Sequence, residues 1–253
     1  MGYRRNRQPV RGVTGRRVLG RMSRRRDRKR DIRQRIAGPQ DAYDHCRVIG
    51  CGRPTTAIRK KGLNRLFCRP HVDHFRRHGS YYKRSYGAAE LQPYRARAVA
   101  WIEQHRHQAA TVEALNAITK LYRRAGPHVE AFRLAGRPPA DRADALWSSL
   151  RERDIDPVRV VACALAVTWR IKDDPQPDSH DEFRAVQVAK LIHRIAGGDH
   201  RRWERELPGG RIAIDQLHKH PNSRGRVLRV VGLQALKATA SLTDIEPTSN
   251  ERN

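Results

Sequence analysis

Cys46, Cys51, Cys68 and His71 follow a C-x4-C-x16-C-x2-H spacing. Zinc takes four soft or borderline donors in a tetrahedron, and a closed set of four leaves no open position for water, so the chemistry offered is structural. Gly50 and Gly52 bracket Cys51 and are expected to supply the positive φ that lets the first two thiolates converge. Phe67 is expected to end a short strand and Cys68 to open a helix, with Pro70 in its first turn where a missing N–H costs nothing. A spacing of three then sets Cys68 and His71 on one face of that turn. The helix continues to Gly79, a residue suited to the left-handed position after a helix end. His74 and His78 lie on the same helix as alternative fourth ligands; the C-x2-H spacing favours His71. A knuckle, a hairpin and a helix whose first turn gives the last two ligands together form a treble-clef-like plan, which assigns Zn2+ a structural role here.

The string CRVIGCGRP, followed by LFCRPHVDHFRRHGS, resembles the short zinc-knuckle segments of phage and bacterial HNH-type endonucleases and related mobile-element proteins. The resemblance covers about residues 45–80, and it implies a zinc module that accompanies DNA-acting proteins. It does not extend to nuclease chemistry. The ββα-metal nucleases need a histidine on the hairpin to activate water, and Thr55 to Phe67 contains none. The stretch before Cys68 is also longer and more basic than the resembling pattern, with Arg59, Lys60, Lys61 and Arg65.

Charge explains what such a module would face. The chain of 253 residues carries 53 Lys and Arg against 26 Asp and Glu, a formal charge of +27, so a polyanion is the expected partner. Residues 1–45 carry net +11, residues 46–92 net +9 and residues 93–253 net +7, placing most of the excess in the first 92. Residues 1–44 are read as a disordered basic arm in which Arg24, Arg25 and Arg26 meet phosphates, adding affinity without sequence information. In the module, residues 45–92, Lys60, Lys61, Arg65, Arg69, Arg76, Arg77, Lys83 and Arg84 interleave with Tyr81, Tyr82 and Tyr86. Guanidinium groups reach phosphates or guanine edges, and tyrosines stack on bases. The competing reading packs the tyrosines against the C-terminal domain.

These groups need a scaffold, and from Pro93 onward the apolar period is helical. Residues 93–244 are expected to form an α-helical domain, with helices at Pro93–Gln108, Thr111–Ala125, Val129–Leu134, Arg142–Arg153, Asp156–Ile171, Phe183–Ile195 and Arg224–Ala240. The helix after Asp156-Pro157 is apolar nearly all round, with charges only at Arg159 and Arg170, and reads as the central core helix. Cys163 within it is expected to be a buried thiol. Ser179 to Glu182 has a capping-box pattern, Arg211–Ile214 is the one candidate strand, and residues 245–253 are a frayed tail. A helix-turn-helix within Ile212–Leu236 fits poorly around Pro221.

The fold expected is therefore mainly α, with a small treble-clef-like zinc module, a helical domain for self-association or a protein partner, and a basic arm. The leading function is a non-enzymatic nucleic-acid-binding protein, with DNA favoured over RNA on the strength of the resemblance. One alternative is a metal-dependent nuclease or recombination factor with its acids at Asp173, Asp174, Asp178, Asp181 and Glu182; another is an RNA- or ribosome-associated structural protein. The longest strongly apolar stretch, Val160–Val167, is too short to span a bilayer, and no apolar signal segment follows the basic start, so a cytoplasmic or nucleoid-associated location without membrane contact is expected.

Overall fold

The computed structural model describes residues 43–57, 64–129, 131–178, 180–196, 201–217 and 225–242. The chain divides into two compact units, the first ending at Arg69 and the second beginning at Pro70. Among the described residues it is mainly helical, with seven α-helices and one two-stranded sheet. The expected basic arm, apart from Tyr43 and Asp44, and the expected tail lie outside the described residues.

The first unit is held by backbone pairing across short extended segments. His45 and Pro54 form an isolated antiparallel bridge, Cys46 N–H donates to the Arg53 carbonyl at 2.8 Å, and Arg47 N–H donates to the Leu66 carbonyl at 2.9 Å. The expected hairpin survives as two rungs, with Thr56 N–H donating to Phe67 at 3.1 Å and Ala57 N–H to Asn64 at 3.0 Å. Its tip, residues 58–63, lies outside the described residues. Phe67 sits in a bend, so the expected strand before Cys68 is replaced by a turn that the Asn64 side chain builds. Its Oδ1 accepts from both Leu66 N–H, at 3.0 Å, and Phe67 N–H, at 2.8 Å, and a side chain that bonds the backbone ahead of it competes with strand pairing.

The second unit begins within α1 (Arg69–His78) and continues through α2 (Ala88–Gln104), α3 (Ala109–Arg124), a 3-10 turn at Ala131–Leu134, α4 (Pro139–Glu152), α5 (Pro157–Lys172), α6 (Asp181–Ala196), a hairpin β1 (Arg201–Leu207) and β2 (Arg211–Leu217), and α7 (Arg226–Ala238). Helix α5 is buried on every side: from Val158 to Ile171 only Arg159 and Arg170 escape full burial. As expected, Pro157 stands in its first turn, and the Asp156 carboxylate accepts from Val158 N–H at 2.8 Å, satisfying one orphan donor. Helix α2 packs along α5, α6 packs along α7, and Trp147, Trp169 and Phe183 fill the space among them. Trp147 donates its indole N–H to Gln234 Oε1 at 2.7 Å, so its burial leaves no polar group orphaned.

Three expectations are corrected here. Helix α2 starts at Ala88 rather than Pro93, because Glu90 reaches back to the Gly87 N–H and caps it; Pro93 lies inside the helix. The candidate strand Arg211–Ile214 is part of a full hairpin whose other strand, Arg201–Leu207, was not anticipated. Its turn places Pro208 before Gly209 at φ 93°, and Gly210 N–H donates to Leu207 at 3.2 Å. The same strand occupies the start of the suggested helix-turn-helix, so α7 is the one helix among the described residues of Ile212–Leu236. The expected capping-box residue Ser179 lies outside the described residues, and Glu182 ion-pairs with Arg229.

The acidic segment after α5 proves to be an anchor. Asp174 is buried, with Lys83 Nζ at 2.5 Å from Oδ2, the Tyr86 hydroxyl donating at 2.6 Å, Gln176 N–H donating at 3.1 Å and Arg170 at 3.8 Å. Burial by itself would raise the carboxyl, but the Lys83 ammonium, the Tyr86 hydroxyl and the Gln176 N–H outweigh it and lower its pKa to about 2. A carboxylate depressed in the folded state stabilises above its unfolded pKa, and that contribution is lost as pH falls through the folded value. Asp174→Asn should therefore cost about 2 kcal/mol at neutral pH. The variant should also lose less stability than the parent between about pH 4 and pH 2 in acid unfolding. Parallel acid-unfolding curves for the two proteins would refute that assignment.

Candidate metal centre

Cys46 and Cys51 sit on either side of a tight turn in which Cys51 N–H donates to the Val48 carbonyl at 2.9 Å. Gly50 takes φ 77°, the conformation the turn requires; Gly52 is not in the left-handed region, so one glycine, rather than the expected two, closes the knuckle. Cys68 immediately precedes α1, and His71 lies in its first turn. Pro70 is tolerated there as expected, since the N–H it lacks would have had no helical partner.

The four donor atoms all lie within 4.8 Å of one another, and they form the one such group among the described residues. Cys51 Sγ and Cys68 Sγ are 3.9 Å apart, and none of the four cysteines forms a disulfide. A disulfide would need about 2.05 Å. Two thiolates bound tetrahedrally at about 2.3 Å each stand about 3.8 Å apart, which matches this separation. Cys46 and Cys68 are 7% and 2% exposed, while Cys51 and His71 are half-buried, so the cluster is shielded on the cysteine side. The Cys51 thiol is held below its ordinary value, first by the Arg53 backbone N–H and, against the opposing effect of burial, by Cys68, Cys46 and the Arg53 charge. A lowered thiol is a readier thiolate, which is the form a metal binds.

His74 and His78 have other work. The His74 Nδ1–H donates to the Ser80 carbonyl at 2.8 Å, and His78 Nδ1 accepts from Ser85 N–H at 3.1 Å and lies 2.9 Å from the Ser85 hydroxyl. Burial first, then Lys190, His74 and Arg77, push the His78 pKa down to about 4, keeping the ring a neutral acceptor. Both rings thus fasten the loop that follows α1. Gly79 ends the helix at φ 77°, and its Cα approaches the Glu182 backbone so closely that a Cβ would lie 2.6 Å from the carbonyl oxygen. The Arg229 guanidinium completes the attachment, donating to the carbonyls of Phe75 at 3.0 Å and Arg76 at 3.2 Å.

The residues expected at a nucleic-acid interface fall into three groups. Arg24, Arg25, Arg26, Lys60 and Lys61 lie outside the described residues. Arg69, Arg76, Arg77, Tyr82 and Arg84 are exposed, Tyr82 at 57% and Arg76 with an ion pair to Asp73 at 3.1 Å. Arg65 is half-buried, Tyr81 stacks on Phe75 at 4.3 Å, and Lys83 spends its charge on Asp174 and the Gln176 carbonyl. Tyr86 follows the competing reading, packed edge-on against Phe183 at 5.6 Å. Of the acidic residues assigned to a nuclease, Asp173 accepts from the Tyr94 hydroxyl at 2.9 Å, Asp178 holds His180 at 2.6 Å, Glu182 pairs with Arg229, and Asp181 is exposed. Cys163 is fully buried, and burial raises its thiol to about 11, despite the nearby Arg95 and Arg159.

No protein-family model, curated protein or solved structure matches this chain. Cys46, Cys51, Cys68 and His71 can hold a metal ion. No helix among the described residues is long and apolar enough to cross a membrane.

Titrating the reduced apoprotein with Co2+ should give one equivalent of tetrahedral thiolate absorption. His71→Ala should weaken binding at least about tenfold, in keeping with the loss of a ligand or its orienting shell. His74→Ala should leave the spectrum unchanged. Equal spectra for the two histidine variants would remove His71 from the ligand set.

Proposed function

We propose that the chain is a zinc-stabilised nucleic-acid-binding protein that engages duplex DNA through its basic N-terminal part and the exposed face of α1. The observation that carries this reading is the Cys3His group at the start of α1, from which Arg69, Arg76 and Arg77 project into solvent. Three thiolates and an imidazole suit Zn2+ over the harder cations, and a four-protein-ligand set suits a structural ion. A knuckle joined to a helix that carries the last ligands is also the treble-clef plan. Among the described residues of the first unit the buried apolar side chains are those of Cys46 and Cys68, and metal binding would supply folding energy there.

The polyanion partner follows from +20 of the +27 charge lying in residues 1–92, while the preference for DNA rests on the resemblance of residues 45–80. The helical unit would serve self-association or a protein partner. The nuclease alternative is disfavoured because the acids it requires neutralise Lys83 and Arg229, bond Tyr94 and His180, or stand apart from any group of metal donors among the described residues.

The test is binding of the zinc-loaded protein to duplex DNA, single-stranded DNA and structured RNA across a salt series. Duplex should be preferred near physiological salt, and log K should fall linearly with log salt by about 0.9 per phosphate contact. Cys68→Ser should weaken duplex binding at least about tenfold, or 1.4 kcal/mol. An unchanged affinity in that variant excludes the metal module as the reader. Preference for structured RNA transfers the function to the ribosome- or RNA-associated class.

A further inference from the structure

Helix α6 carries a cationic cluster that periodicity alone does not reveal. Lys190 reaches across to the Ser85 hydroxyl, which also lies against His78 Nδ1. Arg194 stands one turn beyond Lys190 on the same helix, and Arg77 adjoins His78 on α1. Arg77 ties only its Nε–H back to the Asp73 carbonyl, at 3.2 Å, leaving the rest of an exposed guanidinium facing water. Arg194 is exposed and makes no hydrogen bond or ion pair to another described residue.

Like charges gathered in this way repel one another. Burial, then the charges of Arg194 and Arg77, lower the Lys190 pKa to about 8. Neither Lys190 nor Arg194 makes an ion pair with a carboxylate among the described residues, in contrast to Lys83 with Asp174 and Arg229 with Glu182. A folded protein retains an unneutralised cluster at a cost in self-repulsion, and an anion held there removes it. The fork of an arginine and the point charge of a lysine are the standard recognition elements for phosphate oxygens.

We propose that Arg77, Lys190 and Arg194, with the Lys190 ammonium positioned by the Ser85 hydroxyl, form a phosphate-binding site on the helical unit that takes a backbone phosphodiester of bound nucleic acid. This rests on the nucleic-acid reading above and adds α6 to the interface. The helical unit then takes part in binding as well as in assembly.

The test uses the full-length zinc-loaded protein and duplex DNA across the same salt series. Arg194→Ala, at an exposed position, should weaken binding about fivefold to tenfold and reduce the salt slope by about 0.9, the loss of one phosphate contact. Lys190→Met should do the same, with one zinc per chain retained. Arg123→Ala removes one exposed charge from α3 and serves as the control; it should leave the slope unchanged. If the wild type binds duplex and neither α6 variant changes the slope, or if Arg123→Ala changes it equally, the site is overturned while the wider reading stands. If the wild type binds no nucleic acid, the wider reading fails, and this site fails with it.

Discussion

Burying Asp174 takes a carboxylate out of water, and a lone buried charge is among the most costly things a fold can contain. The chain offsets that cost by bringing Lys83, Tyr86 and Arg170 to it, and this gathering fixes the path of the segment between α1 and α2. Arg170 stacks over the Tyr86 ring at 4.7 Å, so the two arms of the cluster brace each other. With that segment held, Tyr86 can pack on Phe183, and Gln187 can bridge the Tyr86 N–H and the His78 carbonyl. The attachment of α1 to α6 and α7 follows from these contacts and from the Arg229 guanidinium. Because removing one member of such a group leaves another charge buried and unpaired, the cluster behaves as a unit.

The metal-ligand group has a different logic. Among the described residues of the first unit, order comes from backbone pairing, from the Asn64 turn and from the knuckle around Gly50. Each of these fixes a backbone path, and together they bring three sulfurs and a ring nitrogen within a few ångströms of one another. Helix α1 contributes by geometry: a spacing of three residues is close to one turn, so Cys68 and His71 converge wherever that turn forms.

How much of this was legible in the sequence depended on the range of the interaction concerned. The convergence of Cys46, Cys51, Cys68 and His71 could be read because it is a matter of spacing, and α5 because Asp156-Pro157 marks its start and its apolar residues run all round. The start of α2 was misplaced because Pro93 looks like a first-turn residue, whereas the decisive cap is Glu90 folding back on Gly87. Strand β1, Arg201–Leu207, was missed for a related reason: its sequence is mostly charged, with no apolar alternation to mark it, and what defines it is its pairing with Arg211–Leu217. The role of Asp174 was the hardest to foresee. Its acidic neighbours suggest a metal or a solvated loop, and the partners that settle its role, Lys83 and Tyr86, lie some ninety residues earlier in the chain.

The four cysteines occupy two chemically separate worlds. Three share the ligand group, with Cys51 half-buried and its thiol lowered, while Cys163 is sealed inside α5 with its thiol raised far above neutral pH. The native protein therefore carries its own pair of chemical clocks. Alkylation of the three module thiols would run at a rate set by how often the metal lets go, and alkylation of Cys163 at a rate set by how often the helical core opens. A single labelling time course, resolved by peptide, would report the lifetimes of both events in the same sample.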